Sequence, residues 1–344
     1  MQNSFLYLKN FQISKLTKKP ILKKQNINYF FIKISLINKI IVLILIFLIF
    51  LFLVIKAKRN NIGFRTFKQN KTKNTIFLDK YELNIYNNIK LKLESNKCSQ
   101  MWANQREFLN GVIRKFKPKK IVEIGVAEGG SSSIILNAIQ DIKNAHLYSI
   151  DLSDNVNIGI CVKNIFPEFV DRWTLFKNDI AAKFMEQIGN NIDFVFIDSA
   201  HFEPGEILDF LIVLPFLKKG AIVGFHDIAN QITVPNNRNE WAPYIIFNMI
   251  RGKAYYPSGY NLLKHDIGIK ILDNNQNKYI HDYFRALGGQ WQYFPKQKHI
   301  QLIIELFKKY YDNDCLTMFN ETVEFNKKFV KNNPKIQVYE YNSD

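Results

Sequence analysis

The chain has 344 residues, of which 47% are hydrophobic, 14% aromatic and 22% charged. A chain of this length and apolar content can bury a large core, which excludes wholesale disorder. Its 15 Gly and 10 Pro exclude collagen-like and proline-rich low-complexity proteins. The three cysteines, Cys98, Cys161 and Cys315, form no CxxC pair. This argues against a disulfide scaffold and a cysteine-based zinc site, and it is typical of a reducing compartment.

The net charge of +17 is concentrated in the N-terminal part of the chain. Residues 1–78 contain 13 Lys, 2 Arg and no acidic residue, whereas residues 79–344 contain the other 32 basic residues and all 30 acidic residues. The larger part of the chain therefore has a net charge of only +2. It lacks the basic excess of a nucleic-acid-binding domain, and we expect no nucleic-acid partner.

An apolar run covers residues 40–55, which are sixteen residues without a polar side chain. Extended back to residue 34, the run gives about 33 Å of helix, enough to cross the hydrocarbon layer of a bilayer. No signal-peptide cleavage pattern follows, and a soluble core helix would have a polar face. We therefore predict a transmembrane helix over residues 34–56, between a basic tail (residues 1–33) and a basic linker (residues 57–78).

Basic residues flank this apolar run on both sides, with four in residues 20–39 and seven in residues 56–75. The excess on the C-terminal flank favours the cytoplasm for that side of the membrane. We therefore expect a single-pass membrane protein whose folded domain faces the cytoplasm. Contact with anionic lipid headgroups is a further role that these bases could have.

From about residue 101 onwards, short apolar strands alternate with helical patterns. The strand-like runs are residues 120–125, 147–151, 173–176, 192–198 and 221–225. Continuously apolar strands of this kind are typical of a parallel sheet that helices cover on both faces. Ligands of such sheets bind beyond the carboxyl ends of the strands. The acidic residues found at these ends are Glu123, Asp151, Asp198 and Asp227.

The first strand leads into a glycine-rich turn, EIGVAEGGS, at residues 123–131. The GxGxxG fingerprint of dinucleotide-binding proteins is absent. Gly125 and Gly129 would let the backbone approach a ligand closely, and the carboxylate of Glu123 suits an amine better than a pyrophosphate. Asp151, at the end of the second strand, can accept hydrogen bonds from both hydroxyls of a ribose.

The order of these motifs resembles that of class I S-adenosylmethionine-dependent methyltransferases. In detail, EIGVAEGGSS, a strand that ends in Asp, FIDSAH and KGAIVGFHD are similar to motifs of small-molecule and sugar O-methyltransferases. The similarity extends from about residue 102 to residue 272. It implies an α/β fold over residues 79–275 with a Rossmann-like, doubly wound, mostly parallel seven-stranded sheet. It also implies S-adenosyl-L-methionine as the cofactor.

The resemblance further implies a role for each matching residue. The first turn would hold the methionine part of the cofactor through Glu123, Gly125, Gly129 and Ser131. Asp151 would bind the ribose hydroxyls, and Asp179 would lie near the adenine. The structural alternatives are a plain strand-to-helix turn and aspartates that cap the N-termini of helices.

Methyl transfer to a hydroxyl group requires an in-line approach of the acceptor and removal of its proton. In metal-dependent relatives the positions of Asp198, His226 and Asp227 resemble the ligands of Mg²⁺. The imidazole of His226 departs from that pattern, because imidazole suits softer divalent metals. Asp198 would lie beside the transferred methyl group, and His201 is a candidate base. The alternative for His201 is a hydrogen bond to the backbone at the start of a helix.

The polar stretch at residues 229–259 predicts a lid or specificity loop, interrupted by a helix at residues 244–250. Within it, residues 236–241 would face either a polyol acceptor or solvent. Residues 260–263 and 267–272 predict a final hairpin at the edge of the sheet.

Together with the apolar run, the resemblance implies a membrane-anchored methyltransferase that acts on the oxygen of a sugar or another small polar acceptor. A divalent metal, Mg²⁺ or another ion, would assist the reaction. Residues 276–344 predict a helical C-terminal extension that caps the core or supports a homo-oligomer. The alternatives are a nucleotide-cofactor oxidoreductase, disfavoured by the missing GxGxxG, and a catalytically silent binding module tethered to the membrane. The intact Glu123, Asp151 and Asp198 argue against the silent module.

Overall fold

The computed structural model describes residues 80–96, 98, 100–229, 240–257 and 266–333. The predicted basic tail, transmembrane helix and linker at residues 1–78 lie outside the described residues. Most of the predicted acceptor-facing loop and the first strand of the predicted hairpin also lie outside them. Among the helices that are described, none has the length and apolar character needed to span a bilayer.

The described strands form a single sheet. They are β1 (Lys120–Ile124), β2 (His146–Ile150), β3 (Trp173–Phe176), β4 (Ile192–Ile197), β5 (Leu217–His226), β6 (Gly252–Tyr255) and β7 (Ile267–Leu272). The strand order is β3-β2-β1-β4-β5-β7-β6. Neighbours among β1 to β5 are parallel, whereas β7 is antiparallel to both β5 and β6. The predicted α/β architecture and mostly parallel seven-stranded sheet are therefore confirmed. The order of the strands reverses between β1 and β4, where ligands of such sheets bind.

The α-helices connect and cover these strands. They are α1 (Lys80–Ser95), α2 (Ala103–Phe116), α3 (Gly130–Ile139), α4 (Ile160–Ile165), α5 (Ala181–Ile188), α6 (Gly205–Val213), α7 (Ala242–Met249), α8 (Ile280–Arg285), α9 (Gln297–Tyr310) and α10 (Asn313–Asn332). Short 3-10 helices lie at Pro167–Arg172, Leu214–Phe216, Gln276–Tyr279 and Ala286–Gly288. The helix predicted at residues 244–250 is present as α7.

Helices cover both faces of the sheet, as the alternation along β1 shows. The side chain of Ile121 packs in one hydrophobic cluster and that of Val122 in another. Because successive side chains of a strand point to opposite faces, the two clusters lie on opposite sides of the sheet. Helices α1 to α4 contribute to the cluster of Ile121, and helices α5 to α10 contribute to the cluster of Val122. This arrangement is the doubly wound one expected from the sequence.

The C-terminal helices α8, α9 and α10 are part of the main core. Phe284, Phe307 and Phe319, one from each helix, are at most 1% exposed and belong to the same cluster as the residues of β4 and β5. The rings of Phe307 and Phe319 make an edge-to-face contact at 5.1 Å, a favoured geometry for aromatic pairs. The described part of the predicted extension therefore covers one face of the sheet.

The partner of β7 differs from the predicted one. β7 pairs with β6 at residues 252–255, whereas the strand expected at residues 260–263 lies outside the described residues. The sequence GKAY of β6 contains Gly and Lys, which disfavour strands, and it lacks a buried face. Its exposed Lys253 is typical of an edge strand. Because β6 has no alternation of apolar and polar residues, the sequence did not predict it as a strand.

A disulfide bond joins Cys98, which follows α1, to Cys161 in α4. The sequence argued against a disulfide scaffold, and it did not predict this single bond. The two cysteines are 63 residues apart in sequence, and the CxxC criterion detects only close pairs. Cys315 is buried and free. Because disulfides persist mainly in oxidising compartments, the cysteine count no longer favours a reducing one.

Candidate active site at the carboxyl ends of the strands

The glycine-rich turn after β1 packs against the ends of β4 and the loop after β2. Gly125 and Gly129 have φ angles of 89° and 88°, in the left-handed region that glycine adopts without strain. A Cβ atom at Gly125 would overlap the carbonyl oxygen of Asp198, and one at Gly129 would lie 2.9 Å from the Cα atom of Gly159. Both positions therefore require glycine, and the turn directly contacts the segment that holds Asp198.

Glu123 lies beneath this turn without any exposed surface. Its Oε2 atom accepts hydrogen bonds from the hydroxyls of Ser132 and Ser149, both at 2.6 Å. Its Oε1 atom has no hydrogen-bond partner among the described residues. Burial raises the pKa of Glu123 to about 7, although the serine hydroxyls act in the opposite direction. A buried acceptor without a donor is unfavourable, so this oxygen suits a cationic ligand group such as an ammonium.

Two features of this part of the site were missed or only partly seen in the sequence. Ser132 and Ser149 orient the carboxylate of Glu123, but isolated serines give no recognisable pattern. Ser131, which the resemblance assigned to the cofactor, is buried at the start of α3, and its side chain helps to lower the pKa of Glu123 against the effect of burial. Its predicted role in cofactor binding stays a prediction.

Asp151 lies against the glycine-rich turn, as the resemblance implied. Its Oδ2 atom accepts hydrogen bonds from the backbone amides of Val126 and Ala127, both at 3.0 Å, and its Oδ1 atom accepts one from Ser153 at 2.8 Å. These bonds hold the turn in place. A carboxylate offers about four acceptor sites, so capacity remains for ribose hydroxyls. That contact stays a prediction.

Asp179 is buried between two helices. Its carboxylate accepts hydrogen bonds from the amide of Ile180 and from the ammonium group of Lys183, at 3.0 and 2.9 Å. The Nε2 atom of His299 in α9 lies 3.5 Å from the same group. These contacts hold Asp179 at the residue before Ile180, the N-cap of α5, and the predicted role beside the adenine stays a prediction.

The four candidates for catalysis and metal binding meet between the ends of β4 and β5. The Nε2 atom of His201 lies 3.1 Å from the Oδ2 atom of Asp227. The Nδ1 atom of His226 lies 3.3 Å from that same oxygen and 3.6 Å from the Oδ1 atom of Asp198. The structure thus brings together all the residues predicted for this part of the site.

Glu206, in the first turn of α6, is a further member of this cluster that the sequence did not reveal. Its side chain has no exposed surface. Its Oε1 atom lies 3.0 Å from the Nδ1 atom of His201 and accepts a hydrogen bond from the amide of Ser199 at 3.1 Å. An acidic residue in the first turn of a helix is common. The available signal was its place, together with Asp209, in the mostly apolar segment GEILDFLIV.

The carboxylates around the imidazoles favour their protonated forms. Burial lowers the pKa of His201, but Glu206, Asp227 and Asp198 outweigh burial and raise it to about 10. Asp198 and Asp227 likewise raise the pKa of His226 well above its ordinary value against the effect of burial. A protonated imidazole cannot accept a proton, so the predicted base role of His201 requires the loss of its Nε2 proton.

The same cluster contains donors suited to a divalent cation. One potential ligand atom from each of Asp198, His201 and Asp227 lies within 4.8 Å of the others. The predicted set contained His226 in place of His201. In the structure the Nε2 atom of His226 is buried without a partner among the described residues. Two carboxylates and one imidazole fit a first-row divalent metal, and the metal itself stays a prediction.

These features define a class of protein. The doubly wound sheet with its antiparallel β7, the glycine-rich turn after β1 and the acidic residue after β2 together describe a Rossmann-like methyltransferase. Residues 122–228 match the family model of a methyltransferase domain. This segment contains the glycine-rich turn and the cluster between β4 and β5. The match confirms the resemblance seen in the motifs, and the enzyme class is that of the S-adenosylmethionine-dependent methyltransferases.

Solved structures of lower similarity accompany this match. An O-methyltransferase from Bacillus cereus in complex with SAH is 16% identical, covers 57% of this chain and 92% of its own, and has a TM-score of 0.42. The O-methyltransferase TomG from Streptomyces achromogenes in complex with SAM is 15% identical over 58% and 92%, with a TM-score of 0.42. A methyltransferase from Geobacter sulfurreducens is 13% identical over 62% and 96%, with a TM-score of 0.40. No curated protein matches the chain.

Proposed function

We propose that this enzyme transfers the methyl group of S-adenosyl-L-methionine to a hydroxyl oxygen of a sugar or another small polar acceptor. The main support is the contact between the glycine-rich turn and the segment of Asp198. The two are so close that a Cβ atom at Gly125 would overlap the carbonyl oxygen of Asp198. A cofactor held by the turn would place its methyl group near the cluster of acidic and imidazole groups. That cluster offers the means to orient an acceptor and remove its proton.

In this proposal the cofactor supplies an electrophilic methyl group. The bond between the methyl carbon and sulfur breaks as the bond to the acceptor oxygen forms, and the hydroxyl proton leaves to a base. Glu123 accepts a hydrogen bond from the ammonium group of the cofactor, and Asp151 binds the ribose. Asp198 receives the acceptor hydroxyl. The predicted base for that proton is His201 in its neutral form.

A divalent metal would be held by the carboxylates of Asp198 and Asp227. Its contribution would be to lower the pKa of the acceptor hydroxyl. The residues fit such an ion, since their ligand atoms converge and the cluster is partly open to solvent, with 24% of the Asp198 side chain and 18% of the Asp227 side chain exposed.

The test uses the full-length protein purified in detergent. Labelled S-adenosylmethionine is offered with sugars, nucleotide sugars, glycolipids and phenols, with and without a chelator. We expect label in a hydroxylated acceptor, and a loss of at least about hundredfold in Asp198→Asn. The matched control is Asp171→Asn, an exposed residue outside the site, which should retain the rate. Calorimetry that detects NAD binding but no S-adenosylmethionine binding would reject the proposal in favour of the oxidoreductase alternative.

The proposal includes an anchor at residues 34–56 and the folded domain on the cytoplasmic side, where the flanking charges favour it. The disulfide between Cys98 and Cys161 weighs against that side, because such bonds are rare in cytosolic proteins. Protease protection in sealed membrane vesicles decides between the two sides. A homo-oligomer, also predicted, is tested by light scattering of the purified protein.

A further inference from the structure

We propose that His201 is a metal ligand that binds a divalent transition-metal ion through Nε2, together with Asp198 and Asp227, and that Glu206 positions its ring. This inference depends on the proposed function for the location of the site and assigns His201 a role other than the predicted base. It also replaces the predicted ligand His226 and favours a transition metal over Mg²⁺. Four observations support it.

The first observation is the contact at Nδ1. Glu206 Oε1 lies 3.0 Å from this nitrogen, where an Nδ1–H group would donate a hydrogen bond to the carboxylate. The Nε2 atom lies on the other side of the ring, 3.1 Å from Oδ2 of Asp227. A metal ion that binds Nε2 would displace the proton of that nitrogen and leave Nδ1–H as the donor to Glu206.

The second observation is the distance between the donors on the two sides of the proposed ion position. Two donors that bind one ion at about 2.1 Å and at right angles to each other lie about 3.0 Å apart. The Nε2 atom of His201 and the Oδ2 atom of Asp227 are 3.1 Å apart. The corresponding oxygen of Asp198 lies within 4.8 Å of both. The three donors thus have a spacing that one ion can bridge with small side-chain adjustments.

The third observation is the difference in burial between the two ends of the imidazole. The side chains of His201 and Asp227 are 24% and 18% exposed, whereas Glu206 is 0% exposed. Glu206 is also fixed by the amide of Ser199. A buried carboxylate behind a histidine whose other nitrogen faces an accessible position is the arrangement that orients metal-binding histidines in proteins.

The fourth observation concerns charge. The carboxyl groups of Asp198, Glu206 and Asp227 surround the two imidazoles of His201 and His226, and the side chain of Asp266 contacts Asp227. The cluster therefore contains more carboxyl groups than imidazoles, and such grouped oxygen donors attract a divalent cation. Its mixed oxygen and nitrogen donors suit Mn²⁺, Fe²⁺, Co²⁺, Ni²⁺ or Zn²⁺ better than Mg²⁺.

The probe for this site is Co²⁺, titrated into metal-free full-length protein and followed by calorimetry and by visible absorption. We expect Co²⁺ to bind at least about tenfold more tightly than Mg²⁺. His201→Asn should lose most of that preference and change the Co²⁺ absorption spectrum. Glu206→Gln should weaken Co²⁺ binding by about 10- to 100-fold. His201→Asp, which replaces the imidazole with a carboxylate, should shift the preference toward Mg²⁺.

The matched control is His146→Asn, because His146 is a half-buried imidazole in β2 that contacts Thr174 away from this cluster. It should retain the Co²⁺ affinity and spectrum of the parent protein. An unchanged Co²⁺ affinity and spectrum in both His201 variants would overturn the proposal. Binding of S-adenosylmethionine is measured separately on each variant. If the parent protein does not bind S-adenosylmethionine, the proposed function is rejected. The metal titration would still show whether His201 is a ligand.

Discussion

The ionisation of Glu123 should control the affinity for the cofactor. Burial raises its pKa from 4.5 to about 7, so about a tenth of the free protein is ionised at this position at pH 6 and about half at pH 7. A bound ammonium group would keep the carboxylate ionised. The affinity for S-adenosylmethionine should therefore increase about fivefold from pH 6 to pH 7, below the pKa of about 8 of an α-amino group. In Glu123→Gln the affinity should be weaker at pH 7 and nearly constant over this range.

The same substitution should change how the stability of the ligand-free protein depends on pH. Because the folded state raises the pKa of Glu123, its contribution to stability is fully present below pH 4.5 and is lost as the pH rises to about 7. Between pH 5 and pH 7.5 this loss amounts to about 2 kcal/mol. The free energy of unfolding of Glu123→Gln should fall by about that much less over the same interval.

The affinity is measured by calorimetry with S-adenosylmethionine. The free energy of unfolding is measured by urea denaturation, with circular dichroism as the signal. Asp171→Asn serves as the control in both, since this carboxylate is exposed. A cofactor affinity that depends equally on pH in the parent protein and in Glu123→Gln would refute the assignment of Glu123 to the ammonium group. Equal pH dependence of their unfolding free energies would refute the effect of burial on its pKa.

Two further predictions concern stability. The disulfide closes a loop of 63 residues, so the double substitution Cys98→Ser and Cys161→Ser should lower the free energy of unfolding by roughly 4 kcal/mol in urea denaturation. The control is Cys315→Ser, because Cys315 is buried and free. If the double substitution lowers the free energy of unfolding no more than this control does, the disulfide bond is contradicted. Phe307→Ala should cost about 3 to 5 kcal/mol, because the ring is fully buried against the main core. A cost as small as that of the half-exposed Phe325→Ala would show that α9 does not stabilise the sheet.

The features that depend on periodicity and on strand ends could be predicted from the sequence. The apolar runs that became β1 to β5 are buried on both faces, and continuous burial leaves a strong signal. Glu123, Asp151 and Asp227 were found because the carboxyl ends of parallel strands meet at one edge. Each of them lies at that edge in the structure.

The features that depend on long-range contacts could not be predicted. Glu206 resembles any acidic residue in the first turn of a helix, and only the fold shows that its carboxylate meets His201. The contact between His299 and Asp179 joins residues that are distant in sequence. The bond between Cys98 and Cys161 has the same origin, since no local pattern specifies which cysteines approach each other.

The disulfide has a topological consequence for the glycine-rich turn. The disulfide closes the segment from Cys98 to Cys161 into a covalent ring. This segment includes β1, α3, β2 and the whole glycine-rich turn. Inside this ring, the amides of Gly159 and Cys161 donate hydrogen bonds to the carbonyls of Ala127 and Glu128. A chain nicked by a protease anywhere within the ring would stay in one piece until a reductant released it. The glycine-rich turn and the loop at Gly159 would thus remain covalently joined even after a backbone break.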